Sequence, residues 1–179
     1  MKIMLSSDEM LAQWKLRRGF APLRTDCEIT RSDGIDLDAL LRLEMRDWYL
    51  NLLDTAPMEL LAPENIAGDI ALMSQADNSA TVILPENCRR LVGFKLKEWK
   101  RPAKIITDPY SHEAQMQSNP YCRGGCENPI VVLHGNRLYV YSLSPLTSHV
   151  IDFATAIMEP TDGGYLMDEA ALKTILSDV

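Results

Sequence analysis

Cys122 and Cys126, four residues apart in YCRGGCENP, are the side chains whose type and spacing come nearest to a reactive or metal-binding pair. Two thiolates on one turn can make half of a tetrahedral zinc site. The other half would have to come from Cys27, Cys88, His112, His134 or His149, and no two of these stand at ligand spacing. A thiol–disulfide exchange centre uses Cys-x-x-Cys at the opening of a helix, which is a different spacing. The simpler reading is two thiols flanking the Gly124-Gly125 turn. Nucleophilic catalysis needs a Ser or Cys beside a base, yet each His is isolated in sequence and no G-x-S-x-G elbow occurs. Arg123-Gly124-Gly125 and Asp162-Gly163-Gly164 are single glycine turns rather than phosphate cradles. Carboxylates are plentiful, but they fall on helix surfaces where solubility accounts for them. Trp99 beside Lys100 and Arg101 could stack on a base or a cation, or cover a sheet edge. These residues name no catalytic centre, so the expectation is a protein that is not an enzyme and holds neither metal nor cofactor.

The elements that would position these groups are clearer. Ser6 and Glu9 have capping-box spacing, and Met10, Leu11 and Trp14 follow on one face of a helix that stops at Gly19. Cys27 to Thr30 reads as a short strand and Ser32-Asp33-Gly34 as a turn. From Asp36 to Asp54 the chain predicts a second helix. Leu37, Leu41, Met45, Trp48 and Leu52 form one apolar stripe, and Ala39, Leu43, Leu50 and Leu53, with Arg46 among them, form another. A helix with two stripes is covered on both sides, by its own fold or by its own core and a neighbouring subunit.

Beyond Asp69 the period shortens towards two. Asp69–Ser74 and Ser79–Leu84 flank a turn, and Val92, Phe94 and Leu96 point to one face of a strand that ends at Pro102 and is taken up again over Lys104–Thr107. A helical turn is expected within the long loop, at Glu113–Gln117. Pro129–His134 and Arg137–Leu143 form a hairpin through Gly135-Asn136. Val150–Met158 is a further strand, Pro160–Gly164 a loop, and Asp168–Leu176 a last helix burying Ala171, Leu172, Ile175 and Leu176. The predicted class is α+β: N-terminal helices, a mainly antiparallel β-sheet or small sandwich, and a C-terminal helix. It is read as a single domain over 1–179, with 1–57 mainly helical, 66–158 mainly β and 167–178 the C-terminal helix.

With 179 residues, 46% hydrophobic and 24% charged, the chain can bury a core without disulfides or metal. The opening MKIMLSSDEM lacks the long apolar run of a secretory signal and no stretch is long enough for a membrane span, so a cytoplasmic protein is expected, its cysteines as thiols. A net charge of −7 argues against a general nucleic-acid binder. The charge is uneven: Arg89, Arg90, Lys95, Lys97, Lys100, Arg101 and Lys104 cluster, while acids gather over Asp33–Asp54 and Asp162–Asp178. Such segregation is either a solvated face or the two halves of a contact with an acidic partner, including another copy.

The stretch Leu84–Pro102, LPENCRRLVGFKLKEWKRP, carries a more specific signal. Its Leu84-Pro85-Glu86 block with Arg89-Arg90, then the strand Phe94–Arg101 with its Trp-basic ending, resembles the head–tail adaptor or connector proteins of tailed bacteriophages. Asn119-Pro120-Tyr121 with Arg123-Gly124, the hairpin Pro129–Tyr141 and a closing helix over Met167–Leu176 continue the resemblance through about half of the chain. The Cys122/Cys126 loop is outside that pattern. The resemblance implies a phage or prophage structural protein that assembles into a ring and meets portal and tail proteins, in the cytoplasm and then the virion, without a nucleic-acid or membrane partner. For such a ring the expected subunit contacts are Leu43 and Leu50 as apolar anchors, Arg46 as partner of an acid on the neighbour, and Lys95 and Lys97 as a charged contact. The alternative is a small cytoplasmic binding module of a mobile element that forms no ring.

Overall fold

In the computed structural model, residues 1–19, 36–75, 77–144 and 149–176 are described; the strand expected at Cys27–Thr30 and the turn at Ser32–Gly34 lie outside them. The chain is mixed α+β and gathers into two compact units. The first joins Met1–Ala62 to Glu159–Val179, and the second is the continuous stretch Pro63–Met158. The boundaries fall near the change from helical to β period that the sequence shows at 57–66 and 158–167, but both helical ends of the chain belong to one unit.

In the first unit, α1 (Ser7–Arg17) starts as its capping box requires. The Glu9 amide donates to Ser6 Oγ and the Ser6 amide to the Glu9 carboxylate at 2.8 Å. α2 (Leu37–Thr55) is capped by the Asp36 side chain, which accepts from the Asp38 amide. Trp14 of α1 meets Trp48 of α2 edge to face, with ring centroids 5.5 Å apart. The buried positions of α2 are Leu41, Met45, Tyr49, Leu52 and Leu53. The first stripe therefore faces the core, whereas the second is split: Leu53 is buried, Leu50 half-buried, and Ala39 and Leu43 exposed. The unit does not cover both sides of this helix.

Two strands that the sequence pattern does not announce complete the unit. β1 (Lys2–Leu5) pairs antiparallel with β10 (Tyr165–Asp168), with Lys2 opposite Asp168 and Leu5 opposite Tyr165. The expected C-terminal helix is a 3-10 helix, Glu169–Leu176, burying Ala171, Leu172 and Ile175. A second 3-10 turn, Met58–Leu60, follows α2.

The second unit holds two sheets. Strands β2 (Glu64–Asn65), β9 (Ile151–Met158) and β5 (Cys88–Leu96) form one, in the order β2-β9-β5. The other runs β3 (Leu72–Ser74), β4 (Ala80–Ile83), β8 (Arg137–Val140), β7 (Ile130–His134), β6 (Lys104–Ile106). All pairs are antiparallel except β6 with β7. One core serves both sheets, with Ala80, Val82, Leu138 and Val140 from the larger packed among Leu91, Phe94, Leu96, Ala154 and Ala156 from the smaller. β6 thus does not resume β5 after Pro102 but crosses to the other sheet, and the Ala103 amide donating to the Phe94 carbonyl at 2.9 Å marks that corner. A short helix, α3 (His112–Gln117), lies in the loop between β6 and β7. The β7–β8 hairpin has positive φ at Gly135 and not at Asn136, the pattern of a type II′ turn, which wants Gly first.

β5 departs from the expected alternation. The register with β9 shifts between Leu91 and Gly93, leaving Val92 as the extra residue of a bulge. Leu91 (7% exposed) rather than Val92 (37%) therefore takes the inward place next to Phe94 and Leu96. Gly93 allows the close approach, because a Cβ there would stand 3.2 Å from the Phe153 ring. Leu91→Ala should cost about 2–4 kcal/mol in chemical denaturation. Val92→Ala should cost about 0.5 kcal/mol or less; a larger loss at Val92 than at Leu91 would mean that strict alternation describes this strand better than the bulge.

Candidate functional site

On α2 each residue advances about 100° around the axis. Asp36, Leu40, Leu43, Asp47, Leu50 and Asp54 consequently share one arc, opposite the buried Leu41, Met45 and Leu52. Leu43 is 66% exposed and Leu40 45%, with Asp47 exposed between them. The face alternates leucines and acids and carries no Lys or Arg. Glu44 on its flank is held by Arg18 at 2.9 Å. Leu40 and Asp47 were not among the expected contact residues, although a helical projection of the sequence places them beside Leu43.

Arg46 has a different assignment from the one expected. It forms an ion pair with Glu159 of its own unit, and its guanidinium lies 6.0 Å from the Tyr49 ring and 5.9 Å from the Tyr165 ring. The acid expected on a neighbour is supplied within the chain. Behind it, the Tyr49 hydroxyl donates to the Leu166 carbonyl at 3.1 Å and accepts from the Leu166 amide at 2.9 Å. Burial pushes that hydroxyl up to about 12, so Tyr49 is a neutral structural group.

Three of the seven cations in the basic cluster of the second unit are neutralised at home. Lys95 pairs with Asp152 across the β5–β9 ladder at 2.8 Å, Lys100 with Glu127 at 2.7 Å and Lys104 with Glu113 at 2.6 Å. Lys97 and Arg101 are exposed, with no ion-pair partner among the described residues. The Lys97 amide donates to the carbonyl of Val150, itself 45% exposed, so an apolar side chain stands beside this cation. Counted by unit, the first has nine basic and sixteen acidic side chains, and the second nine of each, so the whole net charge of −7 belongs to the first. The two acidic stretches, distant in sequence, fold into the same body.

The groups that could have made a reactive centre have structural partners. The Trp99 indole is buried against Phe94 and donates to the Ser142 carbonyl at 2.8 Å, so it is neither a stacking platform nor an edge cover. Cys126 donates to the same carbonyl at 3.7 Å. Burial, with a smaller push from the Glu98 carboxylate, raises its thiol, the opposite of what a nucleophile needs. Glu98 meets His149 Nδ1 at 3.0 Å, a pair invisible in sequence. His112 and His134 are exposed. Among the described residues no group of three or more His, Cys, Asp or Glu is placed to hold a metal ion, and no helix is long and apolar enough to cross a membrane. Compared with known proteins, the chain matches no family model and no curated protein.

The thiols differ in a way that can be read directly. Cys122 is exposed, whereas burial raises the thiols of Cys126 and Cys88. Brief iodoacetamide treatment of the folded protein at mildly alkaline pH, followed by peptide mass mapping, should label Cys122 well ahead of Cys126 and Cys88. Equal labelling would mean that the 122–126 loop opens on the timescale of the reaction.

Proposed function

We propose that this chain is a non-enzymatic structural protein of the phage head–tail connector kind, assembling with copies of itself into a ring and meeting portal and tail proteins. The observation that carries the reading is the outer face of α2, where Leu40 and Leu43 are exposed on a helix whose opposite side is fully committed to its own core. Monomeric proteins scatter single exposed leucines, but leucines repeated along one face of a rigid helix mark a surface that another body covers. The resemblance of Leu84–Pro102 supports the same assignment. That segment supplies the bulged strand β5 and the buried Trp99 at the corner between two sheets, a stiff wall on which assembly contacts can be built. In this reading the protein occupies the cytoplasm of the host during assembly and the neck of the particle afterwards.

Two measurements bear on the proposal. Particles purified after inducing the strain that carries the gene should contain this chain at a level comparable to the portal protein by mass spectrometry; portal and capsid without it would exclude a virion component. Leu43→Ser should leave the melting temperature within a degree or two, because the side chain is outside the core, yet abolish self-association in sedimentation. If that variant assembles like the parent, the leucine face is not the contact.

A further inference from the structure

Self-association through α2 leaves open which surface of the next copy receives it, and the charges decide this. Two copies meeting through the same leucine-and-acid face would juxtapose units that each carry seven excess negative charges. Like charges juxtaposed in this way disfavour a symmetric contact. A head-to-tail contact, in which one surface meets a different surface of the next copy, has no such cost and is the kind that closes rings. The receiving surface must therefore lie on the electrically neutral unit and present cations that its own acids have not taken.

The geometry points to the segment just after β5, where Lys97 stands exposed beside the apolar Val150, as the surface that receives the Leu40–Leu43–Asp47 face of the neighbouring copy. This rests on the ring-forming reading above and adds its polarity. Leu40 and Leu43 would cover Val150, while Asp47 meets Lys97. Lys95, two residues before Lys97, is excluded from the pair because Asp152 already neutralises it. Of the charged contact read from sequence, Lys97 remains and Lys95 does not.

Charge exchange on the full-length chain tests the pairing, with sedimentation velocity across a concentration series as the readout and thermal melting as the fold control. The parent should assemble. Asp47→Lys and Lys97→Glu should each lose assembly while melting like the parent, and the double variant should recover it. Should a reversal unfold the protein, Asp47→Asn and Lys97→Gln keep the test, each weakening assembly. Arg137, exposed on β8 opposite the exposed Ile83, is the control cation, and Arg137→Glu should change nothing. Assembly that survives the single reversals, or is not recovered in the double variant, overturns the pairing while leaving the ring reading in place. Dispersal by Arg137→Glu alone moves the receiving surface to the hairpin and overturns the pairing as well. A parent that stays monomeric throughout removes the ring reading and this inference together.

Discussion

The Tyr49 hydroxyl, bonded both ways to the backbone of Leu166, is the interaction on which the first unit turns. The unit is made of two stretches of chain separated by the whole of the second, and this pair of bonds spans 117 residues. Tyr49 also packs on Tyr165, ring centroids 4.8 Å apart, and Arg46 reaches over both rings to Glu159. Each bond to a buried amide or carbonyl is modest in net terms, about 1 kcal/mol, but leaving those groups unpaired would cost more. The consequence for function is rotational. With Tyr49, Met45 and Leu41 fixed inward, α2 has no freedom to roll, and Leu40, Leu43 and Asp47 have no direction but outward.

The second unit manages its charge differently. Its cations are matched one for one in number by acids, and three lysines of the basic run are paired within the unit. These pairs are mostly exposed, so each adds little to stability. Their effect is on recognition, because they mute the segment that looks most basic in sequence and leave the cationic character to a few side chains. Of the seven cations that cluster along the chain, three are thus matched in space by acids of the same unit.

Local rules were readable where local physics decides. The Ser6–Glu9 capping box, the main stripe of α2 and the Gly135-Asn136 hairpin each depend on neighbours within a turn or two, and each is found where its pattern lies. β1 and β10 are four residues each, too short for a period to show, and are strands because they pair with one another across the length of the chain. The last helix is eight residues, short enough that Ala171, Leu172 and Ile175 suit a 3-10 winding as well as an α one, and packing selects the former. In β5 the extra residue Val92 shifts the parity locally, so Val92 and Leu91 exchange roles. The site was half legible for the same reason. Exposure of Leu43 follows from helix geometry, but the partners that claim Arg46 and Lys95 lie 113 and 57 residues away, beyond any pattern in the chain.

The interruption of the first unit by the second bears on the order of events at the ribosome. Pro63–Met158 is continuous, so its two sheets can close as soon as that stretch has emerged. The first unit has to wait. Until Tyr165 and Leu166 arrive, Tyr49 has neither its ring partner nor its backbone partner, and α2 is held from the α1 side alone. The side of α2 that packs on β10 is therefore fixed only after Tyr165 and Leu166 have been made, a delay that the topology itself imposes.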